Sequence, residues 1–240
     1  MNWSSPVTFV LGAAALCGVA QAQLAPLSWS VHETLTDPGA DAGWSVATGD
    51  VNGDGYADAI VGAPHGDPGL VVDAGRVLVR FGPAFVAEQT LVAPAAQMSA
   101  DFGYAVACGD VNGDGFADVL VGEPDTQIGL ALDVGRAYVF FGPTLTTSVT
   151  LNQPVAQAGA DFGQAVAIAD LTGDGIGDAI VGAPEAKLGA VTSGQVYVYA
   201  GPTLGTVTTV NDPNAAAGAH FGWSVAAGDT DADGKQDLVV

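Results

Sequence analysis

The chain has 240 residues, 49% of them hydrophobic, which is ample for a sizeable core. Five Lys and Arg stand against 26 Asp and Glu, a formal charge of −21. That balance excludes a nucleic-acid binder, which needs a basic surface to displace counterions, and argues against adsorption to an anionic membrane.

Residues 1–22 read as an export signal. Val7 to Ala20 is an apolar run too short for a comfortable membrane span, and Ala20-Gln21-Ala22 is a small-x-small cleavage site before Gln23. The first six residues hold no Lys or Arg, so an uncleaved anchor is the alternative reading. Leu16 ahead of Cys17 makes a poor lipoprotein site. Cleavage removes Cys17 and leaves Cys108 alone in 23–240, so no disulfide can staple the mature chain.

The mature part is a repeat. Four acidic loops, 50–58, 110–118, 170–178 and 229–237, start 60, 60 and 59 positions apart. Each places oxygen-bearing side chains at loop positions one, three, five and nine and a glycine at six. A hard cation such as Ca²⁺ takes roughly six to eight oxygens, and a tight loop supplies them at such alternate spacing. The ligands expected in the first loop are Asp50, Asn52, Asp54 and Asp58 with the carbonyl of Tyr56, and Gly55 allows the sharp turn. The second has Asp110, Asn112, Asp114, Asp118 and the carbonyl of Phe116. The third has Asp170, Thr172, Asp174, Asp178 and the carbonyl of Ile176, and its hydroxyl makes it the weakest site. The fourth has Asp229, Asp231, Asp233, Asp237 and the carbonyl of Lys235, with the most carboxylates. Half of all acidic residues lie in these loops, so much of the charge is ligand charge, and ion binding is coupled to loop order.

An apolar segment precedes each loop (Gly43 to Ala47, Phe102 to Ala107, Phe162 to Ala167, Phe221 to Ala226), and a short hydrophobic run follows it (Ala59 to Gly62, Val119 to Gly122, Ala179 to Gly182, Leu238 to Val240). Bounded by Gly, Asp and Pro, these read as buried strands joined by the loop. A third strand follows in each complete repeat, at Arg76–Phe81, Arg136–Phe141 and Gln195–Ala200, ending at Gly-Pro. A more polar stretch near Thr90, Thr150 and Thr208 reads as a half-solvated outer strand. Four short strands at this period, with no helical periodicity, predict an all-β chain of β-propeller blades, three complete and a fourth begun.

Phe102-Gly103, Phe162-Gly163 and Phe221-Gly222, the acidic loop, then Gly62-Ala63-Pro64 or Gly182-Ala183-Pro184 resemble the FG-GAP repeat. That repeat builds the N-terminal propeller of integrin α subunits and propellers of many secreted bacterial proteins. Two positions depart from it: Ala42 stands where the first Phe would be, and Glu123 replaces the Ala of the second Gly-Ala-Pro. The resemblance implies a ring of about seven blades, of which this chain holds part, with Ser30 to Leu35 as the outer strand of a preceding blade. It also implies a secreted or cell-surface, non-enzymatic adhesion or recognition module with structural Ca²⁺. The ligand would be an extracellular protein or glycan, met by the variable segments Gly66–Ala74, Asp125–Val134 and Glu185–Ser193 opposite the acidic loops. The alternative is a carbohydrate-binding or polysaccharide-lyase propeller of a secreted enzyme, for which five basic residues provide little.

Lesser features read as structural. Arg76 and Arg136 suit strand-end hydrogen bonding, and His32, His65 and His220 suit solvated positions. Trp44, Tyr104 and Trp223 share a repeat position that suits core packing ahead of sugar stacking, and Cys108 suits a small buried hydrophobe.

Overall fold

The computed structural model describes residues 40–240 and, ahead of them, only a two-residue strand pair, β1 (Val7–Thr8) with β2 (Thr34–Leu35). Apart from that pair, the export signal and its cleavage point, Cys17, His32 and the strand expected near Ser30–Leu35 lie outside the described residues.

Three four-stranded antiparallel sheets follow one another. The first is β3 (Ser45–Gly49), β4 (Asp58–Ala63), β5 (Arg76–Arg80) and β6 (Glu88–Leu91). The second is β7 (Ala105–Gly109), β8 (Asp118–Glu123), β9 (Arg136–Phe140) and β10 (Ser148–Leu151). The third is β11 (Ala165–Ala169), β12 (Asp178–Ala183), β15 (Gln195–Ala200) and β16 (Thr206–Asn211). Its β12–β15 connection carries a small hairpin, β13 (Lys187–Leu188) with β14 (Val191–Thr192), which the repeat pattern does not announce. A fourth unit opens with β17 (Ala226–Gly228) and β18 (Asp237–Val239). These are the blades of a β-propeller, and no described residue is helical.

Burial grades across each blade. The second strands are buried almost throughout, because both faces meet a neighbouring blade. The outer strands alternate or stay exposed. The first strands, apolar in sequence, are nonetheless partly exposed: Val46 in β3 is 54% accessible. They lie side by side across blades, β3 next to β7 and β7 next to β11, so one face is only partly covered.

The core consists of seams between blades. Ile60, Val77 and Val79 of the first blade pack with Val119, Val121, Tyr138 and Phe140 of the second, and a similar cluster joins the second to the third. Phe102 and Phe162 are fully buried in these seams. Phe102 lies 5.7 Å from Tyr138 and 5.9 Å from Phe140 by ring centroids, and Phe162 lies 5.5 Å from Tyr197 and 6.2 Å from Tyr199. Ala42, in the corresponding place of the first blade, is buried against Ala40 and Ala63.

The glycine of Gly-Ala-Pro has a packing reason. A Cβ on Gly62, Gly122 or Gly182 would run into the backbone carbonyl of Gly103, Gly163 or Gly222 in the next blade. Within each blade, Gly43, Gly103 and Gly163 donate their N–H to the carbonyls of Gly62, Gly122 and Gly182 at 2.9–3.0 Å. The spaced glycines thus let neighbouring blades approach at backbone distance.

Candidate metal centres and the opposite loops

Each acidic loop joins the first and second strands of its blade, and its side chains fold it inward. In the first loop, Asp50 Oδ1 accepts the N–H of Gly53 (2.8 Å) and Asp54 (3.1 Å), and Oδ2 accepts that of Gly55 (2.8 Å). Asn52 Oδ1 accepts Asp54 N–H and Asp54 Oδ1 accepts Tyr56 N–H, both at 2.9 Å. The second loop repeats this scheme with Asp110, Asn112 and Asp114. In the third, Asp170 accepts from Gly173, Asp174 and Gly175, while Thr172 donates to Asp170 at 3.4 Å. Desolvation works to raise the Asp170 carboxyl, but those N–H groups and the Thr172 hydroxyl together outweigh it and hold the carboxyl below its usual range.

Position nine has a structural role that the loop pattern does not announce. Asp58 is buried; its Oδ2 accepts Val51 N–H at 2.9 Å, and its Oδ1 accepts Gly82 N–H, at the end of β5, at 2.9 Å. Asp118 does the same with Val111 and Gly142, and Asp178 with Leu171 and Gly201. This aspartate ties the loop to the Gly-Pro turn of its own blade. The signal was in the sequence, since each Gly-Pro recurs in step with the loop. Burial pushes Asp118 up to about 6 and also raises Asp58.

The fourth loop brings one carboxylate oxygen each from Asp229, Asp231 and Asp237 within 4.8 Å of one another, the one such group among the described residues. Corresponding places in the other loops hold Asn or Thr at position three. Hard oxygen donors from three side chains of a single turn fit Ca²⁺. Asp50 Oδ2 and both oxygens of Asp118 receive one N–H each and so keep a lone pair for an ion.

Position seven links successive loops. The Phe116 ring covers Gly53, Ile176 covers Gly113, and the Lys235 stem covers Gly173. Tyr56, at the same position of the first loop, is 55% exposed.

At the other end of each blade run the connections between second and third strands. Leu70 and Leu130 project from them, 99% and 98% accessible. Acidic groups crowd here too. Burial and the charges of Asp101, Asp161 and Asp133 push Asp125 up to about 6. His65 Nδ1 lies 2.9 Å from Asp41 and its Nε2 3.9 Å from Asp101 of the next blade. His220 Nδ1 lies 2.6 Å from Glu185. Two of the histidines expected to be merely solvated are therefore paired with carboxylates, which the fold brings from remote positions. Trp44 and Trp223 are 51% and 58% exposed rather than core residues. Each stacks edge-on against a neighbouring histidine, and Trp44 also contacts Tyr104, which accepts a hydrogen bond from Gln164 at 3.0 Å. Cys108 is half-buried among apolar neighbours, and burial pushes its thiol up to about 12.

The profile of the FG-GAP repeat family matches residues 42–79, 102–140, 162–199 and 221–240, more than half of the chain and in register with the four units. The chain belongs to the FG-GAP repeat family. Among relatives of this FG-GAP chain, the phosphatidylinositol-glycan-specific phospholipase D of Mus musculus is 33% identical over 167 residues, 64% of this chain and 19% of that protein. Integrin alpha-PS2 of Drosophila melanogaster is 36% identical over 174 residues, 68% and 12%. Integrin alpha-IIb of Homo sapiens is 34% identical over 211 residues, 82% and 19%. The chain thus spans about a fifth or less of the length of these curated relatives. No helix among the described residues is long and apolar enough to cross a membrane.

Proposed function

We propose that this FG-GAP propeller is a calcium-stabilised recognition module that works outside the cell and performs no catalysis. The exposed leucines opposite the metal loops carry the recognition reading. Leu70 and Leu130 hold almost all of their surface in water at equivalent points of two blades, a cost in apolar hydration that a docking partner removes. The segments that bear them, 66–74 and 125–134, are those expected to vary with ligand, and a partner is an extracellular protein or glycan. The integrin alpha relatives and the signal-like N-terminus support the extracellular placement, and the convergence of Asp229, Asp231 and Asp237 supports calcium.

Two measurements test this reading. A thermal melt in Ca²⁺ has a higher midpoint than one in EDTA, with calcium found by elemental analysis; an unchanged midpoint with no calcium sinks the metal assignment. Binding to extracellular-matrix proteins and to a glycan array is weakened by Leu70→Ser with Leu130→Ser. Binding that survives the double change moves recognition away from these loops.

A further inference from the structure

The acidic loops meet one another across the seams through their backbones. In each seam the residue at position eight donates its N–H to the carbonyl of the first aspartate of the preceding loop: Ala117 to Asp50 at 3.1 Å, Gly177 to Asp110 at 2.8 Å, and Gln236 to Asp170 at 3.4 Å. In the last seam the Gln236 side chain adds a second tie, its Oε1 accepting the N–H of Asp170 at 3.0 Å. The carbonyl of that same peptide group belongs to position seven, the backbone ligand expected in its own loop. One rigid plane thus carries an expected ligand oxygen of one loop and holds the first ligand residue of the preceding loop.

The side chain at position seven reinforces the link. The Phe116 ring lies over Gly53, whose N–H is held by Asp50 Oδ1 at 2.8 Å. Ile176 lies over Gly113, whose N–H is held by Asp110 Oδ1 at 2.6 Å. These contacts join different blades and form no part of either loop's own turn.

We propose that the loops bind Ca²⁺ cooperatively, an occupied loop preparing the preceding one through this peptide and the position-seven side chain beside it; the proposal rests on the calcium reading given above. A loop with three or four carboxylates has to be ordered against their mutual repulsion, and that ordering is part of the free energy of binding. With the Phe116 carbonyl drawn onto an ion, the 116–117 peptide is fixed and its N–H polarised, which strengthens the hydrogen bond to Asp50. The Phe116 ring is fixed with it and holds Gly53 in the turn. The first loop then meets its own ion already partly ordered, and by linkage the effect runs equally in the other direction. Loss of negative charge at an occupied loop opposes this, since less field remains to attract the next ion. Salt screens that field and leaves the link intact, so cooperativity increases with NaCl.

Calcium titrations of the full chain in about 0.5 M NaCl test the link, with hydrogen exchange of the Gly53, Asp54 and Gly55 amides reporting the first loop. Asp114→Asn weakens the second site and leaves every ligand of the first unchanged. It should nonetheless raise the calcium concentration that half-protects the first loop about fivefold or more. Phe116→Ala keeps every expected ligand of both loops, because position seven ligates through its backbone, and in that background the effect of Asp114→Asn should shrink. Phe116→Ile, which installs the side chain of the third loop, should keep the full effect and so separates the lost contact from general damage to the fold. A first loop that ignores Asp114→Asn, or responds equally with and without the Phe116 ring, overturns the coupling while calcium uptake stands. A chain that takes up no calcium by elemental analysis overturns the calcium reading, and the coupling falls with it.

Discussion

Two glycines of the same loop separate backbone strain from steric contact. Gly53 and Gly55 both have positive φ, 78° and 87°. A Cβ on Gly53 would strike the Phe116 ring of the next blade, whereas nothing lies within 4 Å of one on Gly55. Gly55→Ala should therefore cost about 1 kcal/mol, the left-handed penalty alone, and Gly53→Ala about 2–4 kcal/mol, with overpacking added. Urea unfolding in EDTA measures both, and equal losses would show that the contact with Phe116 contributes nothing. Position nine gives a second residue-scale prediction. Asp118→Ala strands the N–H groups of Val111 and Gly142 and should cost about 2–5 kcal/mol even without metal. Asp118→Asn, which keeps an acceptor oxygen, should lose less. A loss confined to Ca²⁺ solutions would mean the residue serves the ion alone.

Between elements, the first seam is held by charge as well as by apolar packing. Burial alone would lower the pKa of His65, but the carboxylates of Asp41, Asp101 and Asp73 outweigh it and raise it. A histidine raised in the folded state contributes stability that is complete below its unfolded value near 6.5 and is lost as pH rises through the folded value. His65→Ala should lower the melting midpoint at pH 5.5 and leave it nearly unchanged at pH 8.5. A deficit of the same size at both pH values would show that His65 acts by packing against Trp44. The strands here were legible, because runs such as Ala59-Ile60-Val61 and Val119-Leu120-Val121 are apolar on both faces and bounded by turn residues. The β13–β14 hairpin was not, since two-residue strands with exposed side chains leave no periodic trace.

For the whole molecule, a charge of −21 acts on the compact state as self-repulsion. In EDTA the melting midpoint should rise with NaCl as the repulsion is screened. On the calcium reading proposed above, Ca²⁺ at matched ionic strength should raise it further, because ions held in the loops would neutralise their carboxylates. Equal effects of NaCl and Ca²⁺ would reduce the loops to diffuse charge.

The sequence by itself determined the blades, their number and order, and the candidate loop ligands. Those features are local: alternate oxygens within nine residues and apolar runs of four to six, repeated about every 60 positions, need no distant partner to be recognised. Tertiary structure decided what depends on residues brought together from afar. It made Asp58 a tie to Gly82, placed His65 between Asp41 and Asp101, turned Trp44 and Trp223 to solvent, and closed Glu123 around Thr126 and Tyr138. Spacing in a chain carries no record of which side chains meet across a sheet or a seam; burial and hydrogen bonding assign those roles only when the blades pack.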